Sequence, residues 1–151
     1  MRIFFGVLIF LFSYSALASE PHLRNFVTDY CTMFPEGTPQ KPDLWKHCCF
    51  EHDLRYWFGG DSADLDFADE SLRQCVKDVA GNFWANLMYK GVREGHSSPV
   101  KNQYHWSWGW DPERMDSPLS EAEKTLIRKD LGNLGLDPAY VHDFIGKYHL
   151  N

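Results

Sequence analysis

Apolar and polar positions alternate along the chain with a period that is mainly helical. Pro42-Asp43 has the form of a helix entry, with Asp43 as N-cap and Leu44 onward predicted helical to about Phe58. Gly59-Gly60-Asp61-Ser62 then stops that helix and starts another, a glycine stop followed by a polar cap. The second helix is predicted from Ala63 towards Met88, with a kink at Gly81. Its apolar stripe comprises Leu65, Leu72, Cys75, Val76, Val79, Phe83 and Leu87. Asp69 falls inside that stripe, and a carboxylate on a core-facing stripe is costly without a partner. From Gly95 to Pro118 the pattern is loop-like, broken by Pro99, Pro112 and Pro118. Trp106, Trp108 and Trp110 alternate there with Ser107 and Gly109, which suggests a short extended segment. Beyond it, Ser120 and Glu123 have the spacing of a capping box, and Asp137-Pro138 supplies an N-cap with proline at the first helical position. No internal repeat interrupts this order. The expected fold is mainly α.

The chain has 151 residues, the length of one domain, and 16% aromatic content gives it ample surface to bury. A net charge of −6 argues against nonspecific binding to nucleic acid, which needs a basic footprint. Its start has the three-part layout of a secretory signal peptide: basic Met1-Arg2, an apolar run Ile3–Phe12, then small residues ending Ala16-Leu17-Ala18. Residues 1–18 are therefore expected to be removed on export, leaving 19–151 as the domain, periplasmic or secreted. Export favours disulfides over free thiols. Cys31, Cys48, Cys49 and Cys75 make two bridges, and adjacent Cys48 and Cys49 are poorly placed to bond each other. One of that pair bonds Cys31 and the other Cys75; spacing alone leaves both arrangements open.

Candidate chemistry concentrates in Cys48-Cys49-Phe50-Glu51-His52-Asp53-Leu54-Arg55-Tyr56. On a helix, Cys48, His52 and Tyr56 share a face at steps of four, and Asp53 lies about 100° round from His52. His52 and Asp53 can thus point into one cleft. If His52 faces a buried Asp69, the imidazole gains a fixed tautomer and a stabilised protonated form, as a water-activating base requires. Asp53 is then free to hold a hard cation, which takes oxygen ligands. The bland alternatives are a structural histidine, a solvated Asp53, and an ordinary surface pair between Asp69 and Arg73. A zinc cluster of His47, Cys48, Cys49 and His52 does not have a usual ligand spacing. His22, His96, His105, His142 and His149 carry no spacing signal and are assigned to surface or packing.

The run Cys-Cys-x-x-His-Asp-x-x-Tyr is similar to the active-site helix of the secreted phospholipase A2 superfamily. Tyr30-Cys31 resembles the approach to that family's calcium loop, and Asp69, six before Cys75, matches the family's aspartate on its second long helix. The resemblance covers about residues 30–75 and is that of a reduced, bacterial-looking member. It implies two long antiparallel helices joined by a disulfide, with Cys31 bonded to Cys49 and Cys48 to Cys75. It further implies hydrolysis of the sn-2 acyl ester of phospholipids: His52 activates water, Asp69 orients His52, and Tyr56 hydrogen-bonds Asp69. Asp53 binds Ca²⁺ in that scheme, with loop carbonyls of Tyr30, Thr32 or Phe34. The chain departs from the family in that loop, where Thr32-Met33-Phe34-Pro35-Glu36-Gly37 holds a single glycine and a proline. Arg55 also stands where animal members commonly carry a cysteine.

The expected partner is a phospholipid surface or lipid substrate. The competing class is a non-catalytic module of the same fold that binds lipid or an envelope protein. An esterase with another acyl substrate is a third. The tryptophans have two readings, a buried face or an interfacial anchor at the headgroup boundary.

Overall fold

The computed structural model describes residues 21–98 and 103–151. The expected signal segment and Pro99 lie outside them. Five helices and one two-stranded antiparallel sheet make up the described chain. In order these are β1 (His22–Leu23), α1 (Lys46–Phe58), α2 (Ser62–Ala80), α3 (Asn82–Ser97), β2 (Trp110–Asp111), α4 (Glu121–Asn133) and α5 (Pro138–Lys147). The small sheet pairs His22 with Asp111 and Leu23 with Trp110. Among the described residues no helix is long and apolar enough to cross a membrane.

The start of α1 differs from expectation. Asp43 does not cap it; residues 42–45 form turns, the cap position is Trp45, and no side chain caps the helix. Trp45 is instead recruited by burial, fully enclosed with its indole N–H donating to the Pro35 carbonyl at 2.7 Å. Asp43 lies 3.6 Å from the Lys46 ammonium. The stop is as expected: Gly59 has φ 62°, and a Cβ there would lie 1.7 Å from the Ser107 hydroxyl. Asp61 and Asp64 then cap α2 reciprocally.

Gly81 does more than kink the second helix. At φ 83° and ψ 175° it ends α2 and starts α3, reversing the chain into a helical hairpin. Arg73 reaches Asn86 and Arg93 reaches Asp66 across it, so α3 runs antiparallel to α2. The continuous stripe therefore fails beyond Val76. Val79, Phe83 and Leu87 are exposed, because the reversal takes them off the face that Leu65, Leu72 and Val76 bury. Both caps predicted for the C-terminal helices, Ser120 with Glu123 and Asp137 with Pro138, are present.

Helix α1 is central, packed on both sides. Leu54, Trp57 and Phe58 face the tryptophan segment, α4 and α5. Cys48 and Cys49 face α2 and α3 across Leu72, Val76, Ala85 and Met88. The disulfides are Cys31–Cys49 and Cys48–Cys75, fixing α1 both to the preceding loop and to α2. All three tryptophans are buried, which settles them as packing residues rather than exposed anchors. Residues 106–109 form tight turns, with Ser107 at φ 67°, and the extended backbone begins only at Trp110, the first residue of β2. Indole N–H groups of Trp106 and Trp110 donate to carbonyls of Gly60 and Phe58, closing the otherwise open C-terminal end of α1.

Arg55 sits wholly inside that end of α1, 2.9 Å from the Asp64 carboxylate and donating to the Gly59 carbonyl. Its guanidinium stacks over Phe58, Trp106 and Tyr148. A planar, weakly hydrated cation is suited to such a place, where a lysine is not.

Candidate active site

The antiparallel pairing of α1 with α2, clamped by Cys48–Cys75, brings His52 opposite Asp69. His52 Nε2–H donates to Asp69 Oδ1 at 2.9 Å, and the Tyr56 hydroxyl donates to the same oxygen at 2.7 Å. Asp69 is fully buried. Burial alone would push its carboxyl up, but the hydrogen bond and charge of His52, then Tyr56 and Arg93, hold it below the usual range. An ionised carboxylate accepts only, so the proton of a neutral His52 resides on Nε2 and leaves a lone pair on Nδ1. The ring, nine-tenths buried, lines a cleft of about 440 Å³. Tyr56 stacks on it at 4.2 Å between centroids. Burial, followed by the Asp69 charge, drives the Tyr56 hydroxyl up, so it remains a protonated donor.

Arg93 completes the arrangement and was not anticipated. Its guanidinium donates to Asp69 Oδ2 at 3.1 Å and to Asp66 at 2.6 Å. The proposed surface pair of Asp69 with Arg73 does not form; Arg73 holds Glu70 instead, because three and four residue neighbours on α2 compete and Glu70 faces the same side. The signal that could have found Arg93 is the glycine. Asp69 and Arg93 lie twelve residues to either side of Gly81, opposite each other in a hairpin folded there.

Asp53 faces the same cleft, buried one turn-step from His52. It accepts a 2.5 Å hydrogen bond from the Thr28 hydroxyl, another residue absent from the sequence expectation, and one from the Tyr30 N–H. These donors and the His52 charge do not outweigh desolvation, which pushes the carboxyl up to about 6. The group is thus a buried acid whose side-chain donor is a neutral hydroxyl rather than a cation.

The three expected loop ligands are placed unevenly around it. Tyr30 adopts φ 59° and turns its N–H towards Asp53 and Thr28, while its carbonyl accepts from Thr32 N–H at 3.2 Å. The Thr32 hydroxyl donates to Asp29. Phe34 packs its ring against Trp45 and Trp84, its N–H bonded to the Cys31 carbonyl. In donor type the surroundings fit a hard cation, with a carboxylate, a hydroxyl oxygen and loop carbonyls that each keep a second lone pair. His47, Cys48 and Cys75 also converge, but both sulfurs are committed to a disulfide and offer no thiolate. His96 and His105, assigned from sequence to surface or packing, line the cleft.

No family model, curated protein or solved structure matches this chain.

Proposed function

We propose that the chain is an exported phospholipase A2-like hydrolase that cleaves the sn-2 acyl ester of phospholipids. The observation that carries this reading is His52, which lines the cleft and is held through Nε2 on a buried carboxylate that Tyr56 and Arg93 also grip, so that Nδ1 is the ring nitrogen not committed to Asp69. The resemblance of residues 30–75 to the secreted phospholipase A2 superfamily supports the same assignment. So do the apolar residues at the mouth of the cleft, where Met33 and Leu87 are exposed.

In this mechanism Nδ1 accepts a proton from a water as its oxygen adds to the ester carbonyl. Asp69 stabilises the imidazolium that forms and keeps the ring oriented. When the tetrahedral adduct collapses, the acyl carbon–oxygen bond breaks and the imidazolium returns its proton to the leaving alkoxide. The products are a fatty acid and a lysophospholipid. Asp53 and the loop at Tyr30, Thr32 and Phe34 would hold Ca²⁺, with Thr28 turning its hydroxyl oxygen inward. When bound, the ion would polarise the carbonyl and neutralise the developing oxyanion.

A second reading, a lipid-binding module without turnover, draws on Asp53 already being engaged by Thr28 and Tyr30. Fatty-acid release from mixed phospholipid vesicles separates the two. The hydrolase reading expects release that needs Ca²⁺, stops with chelator, and is lost in His52→Ala. Vesicle binding without release, unchanged by His52→Ala, would replace it with the binding module.

A further inference from the structure

The cleft is polarised along its length, and two glycines shape its long wall. Helix α1 forms the floor. The Cys31–Cys49 bridge places the 30–34 loop at the Cys49 end, and Trp106, edge-on to Tyr56 at 5.0 Å, places the tryptophan segment at the other. Because α2 is antiparallel to both α1 and α3, the last two run in the same sense. Leu87 and Met88 therefore fall towards the Cys49 end and His96 towards the Tyr56 end. One end of the cleft is mainly apolar, where Met33, Phe34, Leu87 and Met88 outnumber Tyr30 and Thr32; the other carries the charged side chains Glu113, Arg114 and Asp116 together with His96.

Between them α3 presents Leu87, Gly91 and Gly95 at steps of four, one face of a helix. A glycine inside a helix costs about 1 kcal/mol relative to alanine. Neither Gly91 nor Gly95 is required by the fold, since neither has positive φ and a Cβ at either would meet nothing within 4 Å. What their missing side chains leave is clearance on the cleft side, in a cleft that the nine-tenths-buried His52 also lines.

We infer that Gly91 and Gly95 are specificity-determining positions, clearing a track along which the hydrocarbon chain of an amphiphile lies, chain at the Met33–Leu87 end and polar head at the Glu113–Asp116 end. The head-to-tail polarity of the lining selects this occupant over a uniformly apolar one. The inference deepens the hydrolase reading by naming what sets its chain selectivity, and rests on that reading for turnover but not for binding.

The test uses n-alkyl phosphocholines with chains of eight to fourteen carbons, below their critical micelle concentrations. They contain no acyl ester, so binding is measured without hydrolysis, by calorimetry on the chain from residue 19. The wild type is expected to tighten by up to about fourfold per methylene until the track is filled. Gly91→Leu and Gly95→Leu should weaken the dodecyl probe at least tenfold and flatten the chain-length series. Gly91→Ala should change it less than threefold and raise the melting temperature by removing a helix-interior glycine. Lys90→Leu, outside the cleft lining and paired with Glu94, should bind as wild type. Melting temperatures at or above wild type in the leucine variants establish that lost binding is not lost folding. Wild-type affinity in both leucine variants would overturn the inference. So would a wild type that sediments as a dimer and takes none of the probes, since a second copy would then cover the track. Chain-dependent binding that Gly91→Leu abolishes, in a protein that releases no fatty acid, would overturn the hydrolase and leave the track standing.

Discussion

Replacing Asp69 with asparagine removes one charge from a site where three donors converge. Asp69 accepts from His52 at 2.9 Å, Tyr56 at 2.7 Å and Arg93 at 3.1 Å, and is fully buried. Turning a charge-assisted hydrogen bond into a neutral one costs about 1 kcal/mol. The Arg93 share is discounted, because that side chain is more than a third exposed. A neutral amide is cheaper to bury than a carboxylate, which offsets part of the rest. The net expectation is a destabilisation of about 2 kcal/mol, or a fall of about 4–10 °C in melting temperature for a domain of this size. The cost has a pH signature. Asp69 is held below the usual carboxylate range in the folded chain, so its contribution is present above about pH 4 and lost as pH falls through the folded value. Urea denaturation of wild type and Asp69→Asn at pH 7 should differ by the full amount, and the gap should close towards pH 3. Hydrolysis should fall by about 10²–10⁴, because the asparagine stabilises no imidazolium and fixes no tautomer. Equal stability at pH 7, or a gap that persists unchanged at pH 3, would refute the assignment of Asp69 as an ionised, gripped acceptor.

Other expectations concern the neighbours of that pair. Arg93→Leu should lower kcat by about tenfold with KM little changed, since it acts on Asp69 and not on bound lipid, and Arg93→Lys should restore part of the loss. Asp53, its carboxyl pushed up to about 6 by burial, should bind Ca²⁺ well at pH 7.5 and progressively worse below pH 6, as protons compete for the carboxylate. With the folded value raised, Asp53 stabilises the metal-free chain at low pH and loses that contribution as pH rises through about 6. Asp53→Asn should therefore steady the metal-free protein at pH 7.5 and abolish the calorimetric Ca²⁺ signal. The Cys48–Cys75 bridge closes a loop of 27 residues, and Cys48→Ala with Cys75→Ala should cost about 3.5 kcal/mol by urea denaturation. A loss under 1 kcal/mol would mean the α1–α2 pairing that aligns His52 with Asp69 is held by packing alone.

The residues closest in sequence were the ones sequence could place. His52, Asp53 and Tyr56 share one helix, so their relative directions follow from helical geometry alone. Asp69 stands out as a carboxylate on an apolar stripe, and Leu65, Leu72 and Val76 of that stripe are buried. The caps at Ser120 and Asp137 were equally local. What failed was long-range. Gly81 is flanked on both sides by helical periodicity, and only the left-handed backbone there reveals a hairpin rather than a kinked rod. Missing that reversal hid Arg93 and misassigned Val79, Phe83 and Leu87 to the core. Asp43 looked like a cap because Leu44 begins an apolar period. Enclosing Trp45 under Pro35 outweighed the local preference. The alternation of Trp106, Trp108 and Trp110 reflects contacts with the C-terminal end of α1, and only Trp110 lies in a strand.

Product identification from one defined lipid tests the central claim most directly. The substrate is a phosphatidyl lipid with different acyl chains at its two positions, incubated with the chain from residue 19 and Ca²⁺ in water enriched in ¹⁸O. Mass spectrometry should find a single fatty acid, the one from the sn-2 position, carrying one ¹⁸O, together with its lysophospholipid, and neither product with His52→Ala. Release from both positions at equal rates would contradict the positional assignment. Absence of product from wild type, or product undiminished by His52→Ala, would contradict the His52–Asp69 hydrolase itself.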